Sequence, residues 1–268
     1  MRRPLALTVA VAVVLVLGAA GCGDDGGDED ETTASSTTEA GGASSSATDT
    51  TTAADGSTTT TAADGTSSTP SVPDEDLPGE PIDIYPYEGA VLAVVGVEAD
   101  DTLNVRAGPG TSFDVVVELG PLAADATATG RNRTLEDDSL WVELEAEGTT
   151  GWVNGQYVAQ LGGTTDVTSE VGQGIAGETM LAIGEAVAAA RAPAGEGPQP
   201  TVTVVDGPTV GDLGEITVDV LGLADDSLRG ERLHVFATPD PSGEGFGLKT
   251  VEATALCARG VTDDGLCT

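Results

Sequence analysis

Leu103-Asn104-Val105-Arg106-Ala107-Gly108-Pro109-Gly110 is the stretch whose reading decides the fold of this 268-residue chain. Its first half alternates: Leu103 and Val105 fall on one side of an extended backbone, Asn104 and Arg106 on the other, the period of a half-buried strand. Its second half is a sharp turn. Pro109 presets its own φ, and the flanking glycines open backbone angles closed to other residues.

About fifty residues further on stands Gly151-Trp152-Val153-Asn154-Gly155-Gln156-Tyr157-Val158. Between the two motifs, strand signals recur at short intervals. Ala90 to Val97 is an apolar run, and Val115 to Leu119 and Ala126 to Thr129 read as strands. Leu140-Trp141-Val142-Glu143-Leu144 alternates, and Glu147 to Gly151 forms a turn. Short strands with turns between them fit a small β-barrel. An opening L-N-V-R-x-G-P-G with a close G-W-V-x-x-x-Y-V resembles the bacterial SH3 (SH3b) domain, over roughly residues 89–162, about a quarter of the chain. The resemblance implies an SH3-like barrel over 86–162 that binds peptidoglycan or peptide ligands. It makes Asn104, Arg106, Trp141, Trp152 and Tyr157 the candidate ligand-binding residues. Each also has a structural alternative: Asn104 and Arg106 could brace a loop, and both tryptophans could be core.

The N-terminus reads as an address. Arg2 and Arg3 precede the apolar run Leu5 to Ala20, shorter than the ~20 residues that span a bilayer comfortably. Residues 1–21 are expected to be a lipoprotein signal peptide, with a retained anchor helix as the alternative. Ala19-Ala20-Gly21-Cys22 resembles a lipobox, with alanine where leucine is usual, and makes Cys22 the expected lipidated residue. Residues 22–85 are expected to be a tether of Thr, Ser, Ala, Gly and acids, repeating Thr-Thr-Ala-Ala-Asp-Gly at 51–56 and 60–65. Such composition cannot bury enough surface to offset chain entropy, which predicts disorder with an end-to-end distance of roughly 40–45 Å.

A composition shift at Gly162-Gly163-Thr164-Thr165 suggests a boundary and then a connector, 163–197. Within it 178–191 reads as a helix, Met180, Ile183, Val187 and Ala190 falling on one face and Gly184 allowing close packing. Strands are expected at 201–205, 215–221, 232–237 and 248–255. One helix and then four strands predict an α+β C-terminal domain, 198–268, with a helix on an antiparallel sheet. Cys257 and Cys267 are close in sequence and are expected to form a disulfide in an oxidising compartment. The fold class is therefore mainly β: a disordered tether, a small SH3-like barrel, and an α+β domain.

The inventory bears on chemistry. His234 is the single histidine and reads as a strand-surface residue. A zinc hydrolase needs several such ligands, and a cysteine peptidase needs a free Cys beside a His. No phosphate loop or G-x-S-x-G is present. The expectation is a non-catalytic protein without cofactor or metal. Forty-five acids against ten basic residues give a net charge of −35, which repels nucleic acid. The expected partners are the membrane, through lipid on Cys22, and a peptidoglycan or peptide ligand, at an extracytoplasmic location. The alternative is a structural or sensory module whose binding face lies on the C-terminal domain.

Overall fold

Strands dominate the computed structural model, which describes residues 72–172, 174–192, 199–223 and 225–268. The expected signal peptide, Cys22 and residues 22–71 of the expected tether lie outside the described residues. In chain order the elements are β1 (Glu80–Pro81), β2 (Val91–Val94), β3 (Leu103–Arg106), β4 (Val115–Leu119), β5 (Ala126–Thr134), β6 (Leu140–Ala146) and β7 (Thr149–Asn154). They continue with β8 (Val158–Asp166), α1 (Thr168–Val171), β9 (Ala176–Gly177), α2 (Met180–Arg191), β10 (Thr201–Val210), β11 (Gly214–Leu221), β12 (Leu228–Pro239) and β13 (Phe246–Cys257). The strands join antiparallel in the order β10-β11-β12-β13-β8-β2-β5-β6-β7-β3-β4, with β1 beside β5 and β9 beside β13. The protein is mainly β.

In the N-terminal half the core follows the alternation. Leu103 and Val105 of β3 point inward with Leu92, Val94, Val142, Leu144 and Val153, while Asn104 and Arg106 stay half-buried on the other side. The Gly-Pro-Gly turn is specified by contact as well as by angle. A Cβ on Gly108 would meet the Phe113 ring at 2.5 Å, and Gly110 has φ +124°. β6 and β7 are joined by Glu147 and Gly148, both at positive φ, which matches the right-handed twist of a two-residue hairpin.

In the C-terminal half α2 forms where helix propensity and spacing agree. Thr179 caps it, its side-chain oxygen accepting from the Ala182 N–H at 3.1 Å. Met180, Ile183, Val187 and Ala188 are buried against β11 and β12, each large side chain stabilising by roughly 1.5–3 kcal/mol. Ala190, expected on that face, is exposed, and Gly184 and Ala188 take its place. A Cβ on Gly184 would come within 3.2 Å of Ile216, so a bulky residue there would lift the helix off the sheet. At the end of α2, Arg191 makes a two-pronged pair with Glu231 of β12 at 2.6 and 2.9 Å.

The two halves are not separated by a linker. β8 pairs with β2 through Val158 and Ala159, then with β13 from Gln160 to Asp166, so one strand serves both. The glycines that suggested a boundary lie inside it. Gly162 and Gly163 are small because the loop closed by Cys257 and Cys267 rests on them. A Cβ on Gly162 would sit 2.8 Å from the Gly265 carbonyl and 3.0 Å from Cys257 Sγ, and the Gly163 N–H donates to that carbonyl at 2.7 Å. The two cysteines are bonded, with Cα atoms 5.1 Å apart.

Polar ties complete the junction. Asp219 of β11 is fully buried and accepts from Arg232 Nε at 2.7 Å, Arg232 Nη2 at 2.9 Å and the Gly96 N–H at 2.9 Å. Arg232 Nη2 also donates to the Val94 carbonyl at 2.7 Å. Around this pair Val95, Ala159 and Leu256 form a small apolar seam. Burying an ion pair costs desolvation, and here the pair is also tied to the opposite half through the Gly96 N–H and the Val94 carbonyl.

Order extends to residues that composition assigned to the tether. Residues 72–85, expected to belong to the disordered tether, run across the outer face of β5, β6 and β7. Leu77 is buried against Trp141 and Trp152, and Asp74, in a 3-10 turn (Asp74–Asp76), bonds both Arg131 and Arg133. Arg133 also donates to the carbonyls of Leu77, Pro78 and Gly79, so one guanidinium holds the strap by its backbone. Leu77, Asp74, the Arg133 bonds to its backbone and the β1–β5 pairing hold this segment in place, and composition averaged over sixty residues hides them.

Candidate ligand-binding cleft

The strand β3 and the 3-10 turn Gly155–Tyr157 that follows β7 face one another across a cleft of about 620 Å³. Its walls bring together Asn104, Arg106, Trp141 and Tyr157, four of the five residues singled out from the motifs. The turn is shaped by Asn154, whose side-chain oxygen accepts from the Gln156 N–H at 3.0 Å. The Tyr157 carbonyl accepts from the Val95 N–H at 2.9 Å, which fixes the tyrosine against β2 while its ring stays half-buried.

Arg106 has two functions available and the geometry uses one of them fully. Its Nη1 donates to the Phe113 carbonyl at 2.8 Å and the Thr111 carbonyl at 3.3 Å, closing the loop that contains the Gly-Pro-Gly turn. It has no carboxylate partner among the described residues, so a positive charge stands at the cleft wall opposite Glu98 and Asp101. The lining is a mixture of amide, hydroxyl, carboxylate and guanidinium groups around the tyrosine. That is a donor and acceptor supply suited to a polar, hydrogen-bonding ligand.

The tryptophans divide differently from expectation. Trp141 is 4% exposed and presents only an edge to the cleft, its Nε1 donating to Ser139 Oγ at 3.1 Å. Trp152 is 2% exposed and lies outside the cleft altogether. It sits beneath Arg131, whose guanidinium carbon is 5.4 Å from the ring centroid, and beside the strap. Neither indole is an open stacking platform, because Leu77 and Arg131 cover the face they share. Arg131 is held in turn by Glu143, buried on β6, and by Asp74. Hydrogen bonding from Arg131 holds the Asp74 carboxyl below the usual carboxylate range. Sequence reasoning missed Asn154, Gln156, Glu98 and Asp101 as cleft residues. The first two occupy the unspecified positions between Val153 and Tyr157, and the acids lie in a loop with no pattern of its own.

His234 lies on β12, half exposed, its ring 4.2 Å from that of Phe236 and its Nε2 3.8 Å from Glu215. It is the chain's single histidine and lies at the strand surface.

No protein-family model matches the chain, and no solved structure matches it. Over 74 residues it is 32% identical to the Bacillus subtilis (strain 168) protein named "Putative N-acetylmuramoyl-L-alanine amidase YrvJ". That stretch is 28% of this chain and 13% of that protein, so the likeness is local and spans a small part of the relative.

Proposed function

We propose that residues 86–162 form an SH3b-type barrel that binds cell-wall peptidoglycan or its peptides in the cleft, without catalysing a reaction. The observation that carries this reading is the convergence of Asn104, Arg106 and Tyr157 from the two sequence motifs on one cleft. The local likeness to a protein named as a cell-wall amidase supports the ligand class. A binding role rather than a catalytic one is supported by a chain with a single histidine, whose Cys257 and Cys267 are bonded. Lipid on Cys22 would hold the protein at the outer face of the membrane, with the acidic segment before residue 72 as spacer.

Because β8 is shared, the barrel should be tested together with the C-terminal sheet. The chain lacking residues 1–22 is expected to co-sediment with purified peptidoglycan, and Arg106→Ala or Tyr157→Ala to weaken that binding about tenfold, the scale of one charge-assisted hydrogen bond or one aromatic contact. No sedimentation above a buffer control, or binding by both variants as strong as that of the unsubstituted chain, would count against it.

A second reading rests on β10. Among the described residues β11 is the one strand it pairs with, its Val204 carbonyl accepts from the Ala99 N–H at 3.0 Å, and it exposes Val202 and Val210. An apolar edge strand with a free stretch is a template for strand addition, which would place a protein partner on the C-terminal sheet. Crosslinking through residues introduced at 202 and 210 distinguishes the two readings.

A further inference from the structure

The eight basic residues of the described chain are almost all consumed by internal ties. Arg131, Arg133, Arg191, Arg232 and Arg259 are each paired with a carboxylate. Arg229 is different. It is largely buried at the junction of the two halves, where its Nη1 donates to the carbonyls of Gly155 at 2.7 Å and Val158 at 2.8 Å. No carboxylate among the described residues pairs with it. Its Nε and Nη2 have no acceptor among the described residues, yet they are not sealed from solvent. Arg229 lines a second cavity of about 460 Å³, within the size range of small-molecule sites.

That cavity is separate from the cleft and mainly apolar. Leu92, Leu140 and Val142 line it, and the edge-to-face pair Tyr85 and Tyr87 forms a wall, ring centroids 6.2 Å apart. Tyr85 is oriented by its hydroxyl, which donates to Gln160 Oε1 at 3.1 Å. Burial holds the Arg229 guanidinium below the ordinary arginine value, the mark of a cation without a counter-charge. An unpaired guanidinium edge beside apolar walls is matched by a carboxylate, which accepts two parallel N–H bonds, joined to an apolar body. Arg259, which also lines the cavity, is paired with Asp226, so with Asp83 there and a net charge of −35 anions of higher charge are disfavoured.

We propose that this junction cavity binds a small apolar monocarboxylate, its carboxylate on Arg229 and its body against Tyr85 and Tyr87. The shared chemistry could come from a free organic acid or from the C-terminus of an apolar peptide. The test titrates the ¹⁵N-labelled whole chain with octanoate and with N-acetylleucine, following the Arg229 Nε–H signal, and repeats it with octanol and N-acetylleucinamide. Saturable shifts with either acid, and binding about tenfold or more weaker for its neutral counterpart, are expected, the scale of one charge-assisted hydrogen bond. Which acid binds identifies the source. Arg229→Gln should abolish the preference for the acid. Because Arg229 also ties the junction, Tyr87→Ala provides a second variant: it leaves that tie intact and should weaken both acids while keeping the acid-over-neutral preference. Equal binding of acids and neutral counterparts, no saturable shift with either acid, or unchanged affinity in both variants would overturn the proposal. This site is independent of the peptidoglycan reading, whose variants lie in the other cleft.

Discussion

Replacing Asp219 by alanine is the perturbation that most directly probes how this chain is built. The carboxylate has no exposed surface and accepts three hydrogen bonds, two from Arg232 and one from the Gly96 N–H. Its removal leaves a buried guanidinium without its counter-charge and a backbone donor without an acceptor. Breaking a buried pair in this way costs about 3–5 kcal/mol. With a urea dependence of about 2 kcal/mol per molar, the unfolding midpoint should fall by roughly 1.5–2.5 M. The assay follows tryptophan fluorescence, which reports the N-terminal half through Trp141 and Trp152, alongside far-UV circular dichroism, which reports the whole. Since Asp219 lies on β11 and the tryptophans on β6 and β7, a shared midpoint displacement means that the halves unfold together. Adding Arg232→Met to the variant should recover at least about 1 kcal/mol, because the stranded charge is gone. A fluorescence transition that stays in place while the dichroism transition moves would refute the single cooperative unit. A loss below about 1 kcal/mol would refute the assigned role of the pair.

Three further outcomes follow from the same contacts. Leu77→Ala should cost about 2 kcal/mol, the low end for a buried leucine because the strap can collapse, and shift tryptophan emission to the red; an unchanged spectrum would show that the strap is not seated on Trp141 and Trp152. Replacing Cys257 and Cys267 by serine should cost roughly 2–3 kcal/mol, and the unreduced chain should show no reactive thiol at either position. Burial pushes the Tyr85 hydroxyl up to about 12, so a tyrosinate absorbance titration should show a step near that pH, and Tyr85→Phe should remove it. The sign follows: the folded form keeps its proton longer than the unfolded chain, so this contribution to stability is complete below about pH 10 and lost as pH rises through about 12.

Much of the secondary structure was legible because it depends on neighbours in sequence. The alternation at 103–106 and 140–144, the Gly-Pro-Gly turn and the spacing of Met180, Ile183 and Val187 each specify an element without reference to a distant residue. The strands expected at 201–205, 215–221, 232–237 and 248–255 are all present, each longer than its apolar pattern. The extra residues are recruited by pairing, as when Leu228 and Gly230 of β12 meet Cys257 and Leu256 of β13. The candidate site was legible in part. Asn104, Arg106, Trp141 and Tyr157 share a cleft because the strand and the closing turn that carry them are adjacent in space, whereas Trp152, on the same sheet face as Trp141, lies outside the cleft under the strap and Arg131.

Local preference along the sequence thus specified most of the strands, the helix ending at Arg191, four residues of the cleft wall and the two cysteines that join. These depend on local backbone preference and on a period of two or about four residues. Only the tertiary structure decided that Leu77 and Asp74 strap the tryptophan face, that Gly162 and Gly163 seat a disulfide loop instead of marking a boundary, and that Asp219 finds Arg232. Each is a pairing chosen by burial among many chemically equivalent candidates. With forty-five acids and ten basic residues, no pattern along the chain says which acid an arginine will meet. The Leu103–Gly110 stretch shows the division within eight residues: its alternation makes the strand, and the fold sets Arg106 on the carbonyls of its own loop, at the wall of the cleft.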